Sequence, residues 1–250
     1  MDLSGKNILL TGASRGIGEA LARSLAGAGA RVSVHYSKSA EKAERLADEL
    51  GNGARAFSAE LSNPIETIKL FENVVKEFGS VDVLINNAGV AIHSPVDNSD
   101  EDWLADWHST MNVNLTAMAL LCRKTLGHFE ERGGGRIINI ASRASFRGDT
   151  PEYLAYAASK GGVIPFTRSI ARYYGKKGVK AFVVAPGFVR TDMAQDFMDE
   201  YGEDFALNDI ALPNLTTPSD IAPLVTFLAS GLADHATGGT FDVNAGSYVH

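Results

Sequence analysis

Short runs rich in Val and Ile, mostly without polar alternation, recur along the whole chain, and helical stretches separate them. Strands buried on both faces and joined by crossover helices read this way, which restricts the fold to a parallel sheet covered on both sides. Strands are expected at 7–10, 31–35, 54–58, 81–85, 136–140, 179–184 and 240–243. Helices are expected near 17–27, 40–50, 65–78, 101–130, 152–175 and 219–229. Helix starts are marked by Ser62-Asn63-Pro64, Thr150-Pro151-Glu152 and Ser219-Asp220, with capping residues and first-turn prolines where they belong. The expectation is an α/β fold: one doubly wound, seven-stranded parallel sheet with helices on both faces, residues 1–250 forming one domain. Two segments fit poorly. Pro165 lies inside 152–175, where a mid-helix proline costs ~3 kcal/mol and favours a kink. The stretch 186–217 follows neither period and is expected to be a loop with short helical pieces, with a lid at about 188–215.

Composition narrows the partners. At 250 residues and 45% apolar, the chain can bury a full core, and its single Cys forms no internal disulfide. A reducing, cytoplasmic setting is expected. Met1–Lys6 lacks the pattern of a signal peptide, and no apolar run approaches the ~18 residues of a membrane span. The net charge is −7, and residues 191–250 carry ten acids and no Lys or Arg. With no basic stripe, nucleic acid and anionic membrane surfaces are poor partners. The six His show no metal-ligand spacing, so no metal is expected.

After the first strand comes Thr11-Gly12-Ala13-Ser14-Arg15-Gly16-Ile17-Gly18, then a helix. Glycines there allow a tight turn and bring backbone N–H groups close to a pyrophosphate, and the helix N-terminus adds partial positive charge. The spacing Gly-x3-Gly-x-Gly differs from the G-x-G-x-x-G of longer dehydrogenases, but the context is that of a Rossmann-type fold. Gly12–Gly16 also matches G-x-S-x-G, the nucleophile elbow of serine hydrolases. That reading needs an earlier strand to carry an oxyanion loop, and Ser14 follows the first strand. An NAD site places an acid at the end of the second strand. This chain has Tyr36-Ser37-Lys38 there. Arg15 and Lys38 are positioned to meet a 2′-phosphate, which favours NADP(H) over NAD(H).

Tyr156 and Lys160 are four residues apart on a helix and share a face. A nearby ammonium favours the phenolate, and the Tyr can then exchange a proton with a substrate oxygen. Ser142, at the end of the fifth strand, can reach the same oxygen.

The Thr11–Gly18 turn, Asn86-Asn87-Ala88-Gly89, Ser142, Tyr156/Lys160 and Pro186-Gly187-Phe188-Val189-Arg190-Thr191 stand in the order of the short-chain dehydrogenase/reductases. The sequence resembles that family end to end, most of all its 3-oxoacyl carrier-protein reductase type. The resemblance implies an NAD(P)-dependent enzyme of carbonyl–alcohol interconversion. It implies Tyr156 as general acid and base, Lys160 as the group that lowers its pKa and holds the nicotinamide ribose, and Ser142 as the residue that orients the carbonyl. Asn114, favoured over the nearby Asn112, would hold a water linking Lys160 to solvent. Cofactor contacts are implied for Gly12, Ser14, Arg15, Gly16, Ile17, Gly18, Tyr36, Ser37 and Lys38. They are implied also for Glu60, Leu61, Asn87, Ala88, Gly89, Pro186, Gly187, Val189 and Thr191. The family usually has Asp where Glu60 stands. The resemblance further implies a homotetramer or dimer built through the helices around 101–126 and 152–175, with Trp103 and Trp107 at a subunit face. The acidic 192–209 segment disfavours an acidic carrier protein as partner, although Arg132 and Lys177 lie near the docking cations of that type. A small carbonyl or alcohol substrate is therefore expected, with a carrier-bound acyl group or a non-catalytic dinucleotide sensor as alternatives.

Overall fold

The computed structural model describes residues 1–191 and 202–249. Among them are seven strands: β1 Asn7–Leu10, β2 Arg31–Tyr36, β3 Arg55–Ser58, β4 Val83–Asn86, β5 Gly135–Ile140, β6 Val179–Pro186 and β7 Thr240–Val243. They pair in parallel in the order β3-β2-β1-β4-β5-β6-β7. The order reverses between β1 and β4, and a doubly wound sheet binds its ligand in the crevice at that point.

The helices are α1 Gly16–Gly27, α2 Ala40–Leu50, α3 Pro64–Phe78, α4 Asp100–Met111, α5 Ala117–Arg132, the single turn α6 Ala144–Arg147, α7 Leu154–Tyr174, α8 Glu203–Asn208 and α9 Pro218–Ser230. On one face of the sheet, Leu21 and Leu25 of α1, Leu46 of α2 and Val225 and Leu228 of α9 pack on Ile8, Val32, Val34, Phe182 and Val184. On the other, Leu70 and Val74 of α3, Leu121 and Phe129 of α5 and Val163 and Ile170 of α7 pack on Leu9, Leu84, Ile137 and Val183. Successive strand residues thus serve opposite cores, and the strands read apolar without alternation. A small third cluster joins Ala206 and Leu215 to Phe188, Leu207 and Ile210.

The signal at Ser62-Asn63-Pro64 is met, whereas the last helix starts at Pro218 under a Thr217–Asp220 capping box, and α7 follows a 3-10 turn at Pro151–Tyr153 with no side-chain cap. Asn63 Oδ1 accepts from the Ile65 and Glu66 amides, with Pro64 in the first turn of α3. One expectation changes. The stretch expected as one helix over 101–130 is α4 and α5 joined by a π-type bulge at Asn112–Thr116, a device that re-aims side chains inside a helix. At Pro165 the helix continues unbroken from Leu154 to Tyr174. Val163 and Ile164 before it and Ile170 and Ala171 after it are all buried, and this anchoring offsets the lost backbone bond. The 186–217 stretch contains α8 and a bridge from Val189 to Thr216. Residues 192–201 of the expected lid, with Asp192, Asp196, Asp199 and Glu200, lie outside the described residues. No helix among the described residues is long and apolar enough to cross a membrane.

Phe182 is fully buried on β6. Phe182→Ala is expected to lower the unfolding free energy by about 3–5 kcal/mol, and Asn63→Ala by about 1 kcal/mol. Urea midpoints measure both; equal effects would contradict this packing.

Candidate active site

The loops that leave the C-terminal ends of β1, β2, β4, β5 and β6 converge at the switch point. At Gly12 (φ 62°) a Cβ would lie 2.9 Å from Ala88 Cα. At Gly18 it would lie 2.0 Å from Gly12 O. No side chain fits at either position. Asn87 ties the crossing together: its Nδ2 donates to Thr11 O and Gly12 O, each at 3.0 Å. Thr11 Oγ1 accepts from the Asn87 and Ala88 amides. Asn87 and Ala88 therefore shape the glycine turn from β4. Arg15, at the N-cap of α1, supplies no side-chain cap, so first-turn N–H groups of α1 remain for an anion. The turn fits a dinucleotide pyrophosphate on these grounds: bare glycine backbone at the crevice and a helix start uncapped by a side chain.

A cavity of 220 Å³ opens beside the turn, with Ser14, Arg15, Gly16, Lys42 and Arg45 on its wall. Sequence reasoning missed Lys42 and Arg45, because they lie on α2 and join the turn only through packing. Lys38 is exposed and acts on Glu60, whose carboxyl is held below the ordinary range by the Ser62 amide, with Ser37, Ser62 and Lys38 adding to the effect. Glu60 accepts from Ser37 Oγ at 2.8 Å. Leu61 is buried, and Tyr36 packs against the α1–α2 core. Ile17 packs there too.

On the other side of the crevice, Gly187 lies against Asn244 and its amide donates to Val243 O. Pro186 and Val189 are buried. Thr191 Oγ1 donates to Val189 O, and its methyl would meet a Cβ at Gly16 at 3.4 Å. The 186–191 segment therefore closes over the glycine turn.

Ser142 is buried just past the end of β5; its hydroxyl accepts from the Ala144 amide at 3.1 Å and acts on the Tyr156 phenol. Lys160 is 4% exposed, donates to Ile140 O at 3.0 Å and lies 6.0 Å from the Tyr156 ring centre. Burial lowers its pKa to about 8. At Tyr156 the shift runs upward. Enclosure of the phenol hydroxyl raises its pKa; the Asp149 carboxylate adds to this, and Ser142 and Arg143 oppose it. Tyr156 is thus held as a proton donor.

Asn114 sits in the π-type bulge, 3% exposed. It brackets Val90, accepting from its amide at 2.8 Å and donating to its carbonyl at 2.9 Å, and it also donates to Ser159 Oγ at 3.0 Å. A Cβ at Gly89 would lie 3.2 Å from both Asn114 Oδ1 and Lys160 Nζ. Gly89 is therefore where the two side chains approach each other, and Asn114 rather than Asn112 occupies that place. Val90 and Ser159 gave no signal in the sequence. Nor did the link from α6 to the segment after β6, in which Arg143 and Arg147 both donate to Asp209 Oδ2. The Ser14 hydrolase reading finds no support: the neighbouring imidazole, His35, bonds backbone groups with both nitrogens. Among the described residues, no cluster of three or more His, Cys, Asp or Glu could hold a metal ion.

The sequence profile described as short chain dehydrogenase matches residues 6–202. The chain is 38% identical over 249 residues to the 3-oxoacyl-(acyl-carrier-protein) reductase FabG of Vibrio cholerae serotype O1, covering all of both chains. It is 37% identical to the Staphylococcus aureus protein of that name over 247 residues, 98% of each chain. Among solved structures it is similar to a blue fluorescent protein from a metagenomic library in complex with NADPH, with a TM-score of 0.90, 34% identity and full coverage of both chains. A short chain dehydrogenase from Burkholderia cenocepacia in complex with NADP superposes with a TM-score of 0.89 at 31% identity, covering 99% of each chain. With the glycine turn, the Ser142–Tyr156 pair and the buried Lys160 at one sheet edge, these matches establish that the chain belongs to the short-chain dehydrogenase family.

Proposed function

We propose that this chain is an NADP(H)-dependent oxidoreductase that interconverts a carbonyl and a secondary alcohol. The observation that carries the reading is buried Lys160, anchored on Ile140 O and 6.0 Å from the Tyr156 ring centre, with Ser142 acting on the Tyr156 phenol beyond the C-terminal end of β5. A bound nicotinamide supplies or accepts the hydride; the protein supplies position and a proton path. Ser142 orients the carbonyl oxygen. Tyr156 donates its proton to that oxygen in reduction and takes it back in oxidation. Lys160, anchored on Ile140 O, holds the ribose and returns the proton to Tyr156, and Asn114 supports the route to solvent past Gly89.

Arg15 and the glycine turn take the pyrophosphate and 2′-phosphate end, with Ser14, Gly16, Ile17 and Gly18 as backbone donors and Ser37 and Lys38 beside them. Glu60, Leu61 and Tyr36 flank the adenine. Val189 and Thr191 meet the carboxamide, and Pro186 and Gly187 shape that wall. NADP(H) is favoured by the cations around the turn and by the NADPH and NADP bound in the similar structures.

The same proposal takes the chain as one domain, with 188–215 as its lid, working in a reducing, cytoplasmic setting in keeping with its single unpaired Cys122. It assembles as a homotetramer or dimer. An apolar groove of 820 Å³ between α5 and α7, walled by Leu120, Phe166, Ile170 and Tyr173, supports a second copy as its occupant. The stacked Trp103 and Trp107, 5.3 Å apart on α4, support a further contact. Light scattering on the purified protein tests this.

The full-length identity to the carrier-protein reductases favours a second reading, reduction of a 3-oxoacyl group on an acyl carrier protein. Lys177, a candidate docking cation, is paired with Glu130, so a small carbonyl substrate remains preferred. Faster turnover of a carrier-bound than of a free 3-oxoacyl thioester would reverse that preference.

Tyr156→Phe is expected to cut turnover by roughly 10²–10⁴-fold while NADPH binding, followed by fluorescence, is retained. Retained turnover would remove Tyr156 from the chemistry. Arg15→Ala is expected to weaken NADPH binding by about tenfold and NADH binding little. Because the raised Tyr156 pKa keeps the phenol protonated, carbonyl reduction is expected to hold its rate through neutral pH and alcohol oxidation to accelerate as pH rises. The opposite slopes would contradict a Tyr156 donor.

A further inference from the structure

We infer that His35 is a positioning residue for dinucleotide binding: its imidazole joins the glycine turn to the loop after β3 by bonding the backbone of both. The inference rests on the dinucleotide reading above. His35 is 2% exposed on β2, where its neighbours in the sheet offer it no side-chain partner. Its Nδ1 accepts from the Gly12 amide at 2.9 Å, and its Nε2 lies 3.1 Å from Ala59 O. One tautomer satisfies both contacts: the proton sits on Nε2 and is donated to Ala59 O, and Nδ1 keeps its lone pair for Gly12.

The backbone of the same residue completes the join. His35 O accepts from the Ala13 amide at 2.9 Å, and Tyr36 O accepts from the Ala59 amide at 3.1 Å. Two consecutive amides of the glycine turn are therefore committed to His35. The donors the turn can present to a pyrophosphate are those beyond them, from Ser14 into the first turn of α1. Ala59 stands directly before Glu60 and Leu61, so a single ring sets the spacing between the pyrophosphate turn and the loop proposed to flank the adenine.

An apolar ring in that place would leave a buried N–H and a buried C=O unpaired, a defect that acts on both loops at once. Protonation would do the same, since it turns Nδ1 into a donor facing the Gly12 N–H. Burial accordingly lowers the His35 pKa to about 4, against the opposing pull of the Glu60 carboxylate and the Ala59 carbonyl. The neutral ring's contribution is complete above the ordinary imidazole range near 6.5 and is lost as pH falls toward 4.

The test compares three variants with the wild type by NADPH fluorescence titration and thermal unfolding. In His35→Asn the side-chain oxygen sits where Nδ1 was and can still accept from Gly12. In His35→Gln the amide reaches the Nε2 position and serves Ala59 alone. His35→Phe serves neither. The Asn variant is expected to bind within about threefold of the wild type, and the Gln and Phe variants about tenfold more weakly. Undiminished binding by the Phe variant, or losses that simply follow the melting temperature in all three, would overturn the inference. Failure of the wild type itself to bind NADPH would instead overturn the proposed function, and this inference with it. Should the Phe variant not fold, the Asn–Gln contrast decides. Nitrogen-15 NMR of the wild-type histidines supplies an independent readout: a His35 proton found on Nδ1 at neutral pH would refute the arrangement.

Discussion

The active edge of this protein depends on two places where backbone meets backbone too closely for any side chain. Gly12 lies against Ala88, and Gly18 lies against the carbonyl of Gly12. A Cβ at either position would push β1 away from β4 or lift α1 off the sheet. Because the strand order reverses between β1 and β4, that same junction is the crevice, and the first turn of α1 is aimed into it. Asn87 extends the effect, since one side chain bonds the carbonyls of both Thr11 and Gly12. The cofactor turn is therefore a product of strand pairing more than of loop conformation.

The catalytic corner shows the opposite economy. A buried Lys and a partly buried Tyr meet there, and desolvation moves both away from their charged forms. Such groups weaken a fold unless backbone partners hold them. Here the Lys is held by the sheet itself, since Ile140 O on β5 accepts from it, and Ser142, two residues on, acts on the Tyr156 phenol. Asn114 is fixed by the backbone of Val90. The reacting groups are thus preorganised by the ends of rigid elements, the arrangement that positions catalytic side chains most accurately.

The layered sheet was legible in the sequence because its signal is periodic and repeated seven times over. The Ser142, Tyr156 and Lys160 constellation was legible because each residue sits at the end of an element or at helical spacing within one. Legibility failed where a third element intervenes. The bulge holding Asn114 leaves no mark in a run that reads as one helix over 101–130. The helix around Pro165 runs on as one element, with buried residues on both sides of the proline. The Lys160 ammonium, on the same helix face as Tyr156, also donates to β5, a partner that the i, i+4 spacing does not announce. His35 and Asp209 acquire their roles only from residues that are distant in sequence, on the glycine turn and on α6.

Charge around the turn explains why the missing acid at the end of β2 matters beyond one hydrogen bond. The cavity beside Arg15 gathers Arg15, Arg23, Lys42 and Arg45 against Glu19 and Glu49. Arg23 bonds both carboxylates, and Arg45 reaches Glu49 at 3.8 Å. Four cations thus face two acids, both of them paired, and the cavity wall carries an excess of positive charge. An acid at the end of β2 would oppose that field where a ribose 2′-substituent would sit. Its place is taken by Tyr36, Ser37 and Lys38, and the nearest carboxylate, Glu60, is bonded to Ser37 and to the Ser62 amide. The cations that favour a phosphate over a hydroxyl at this crevice are therefore supplied by several elements together.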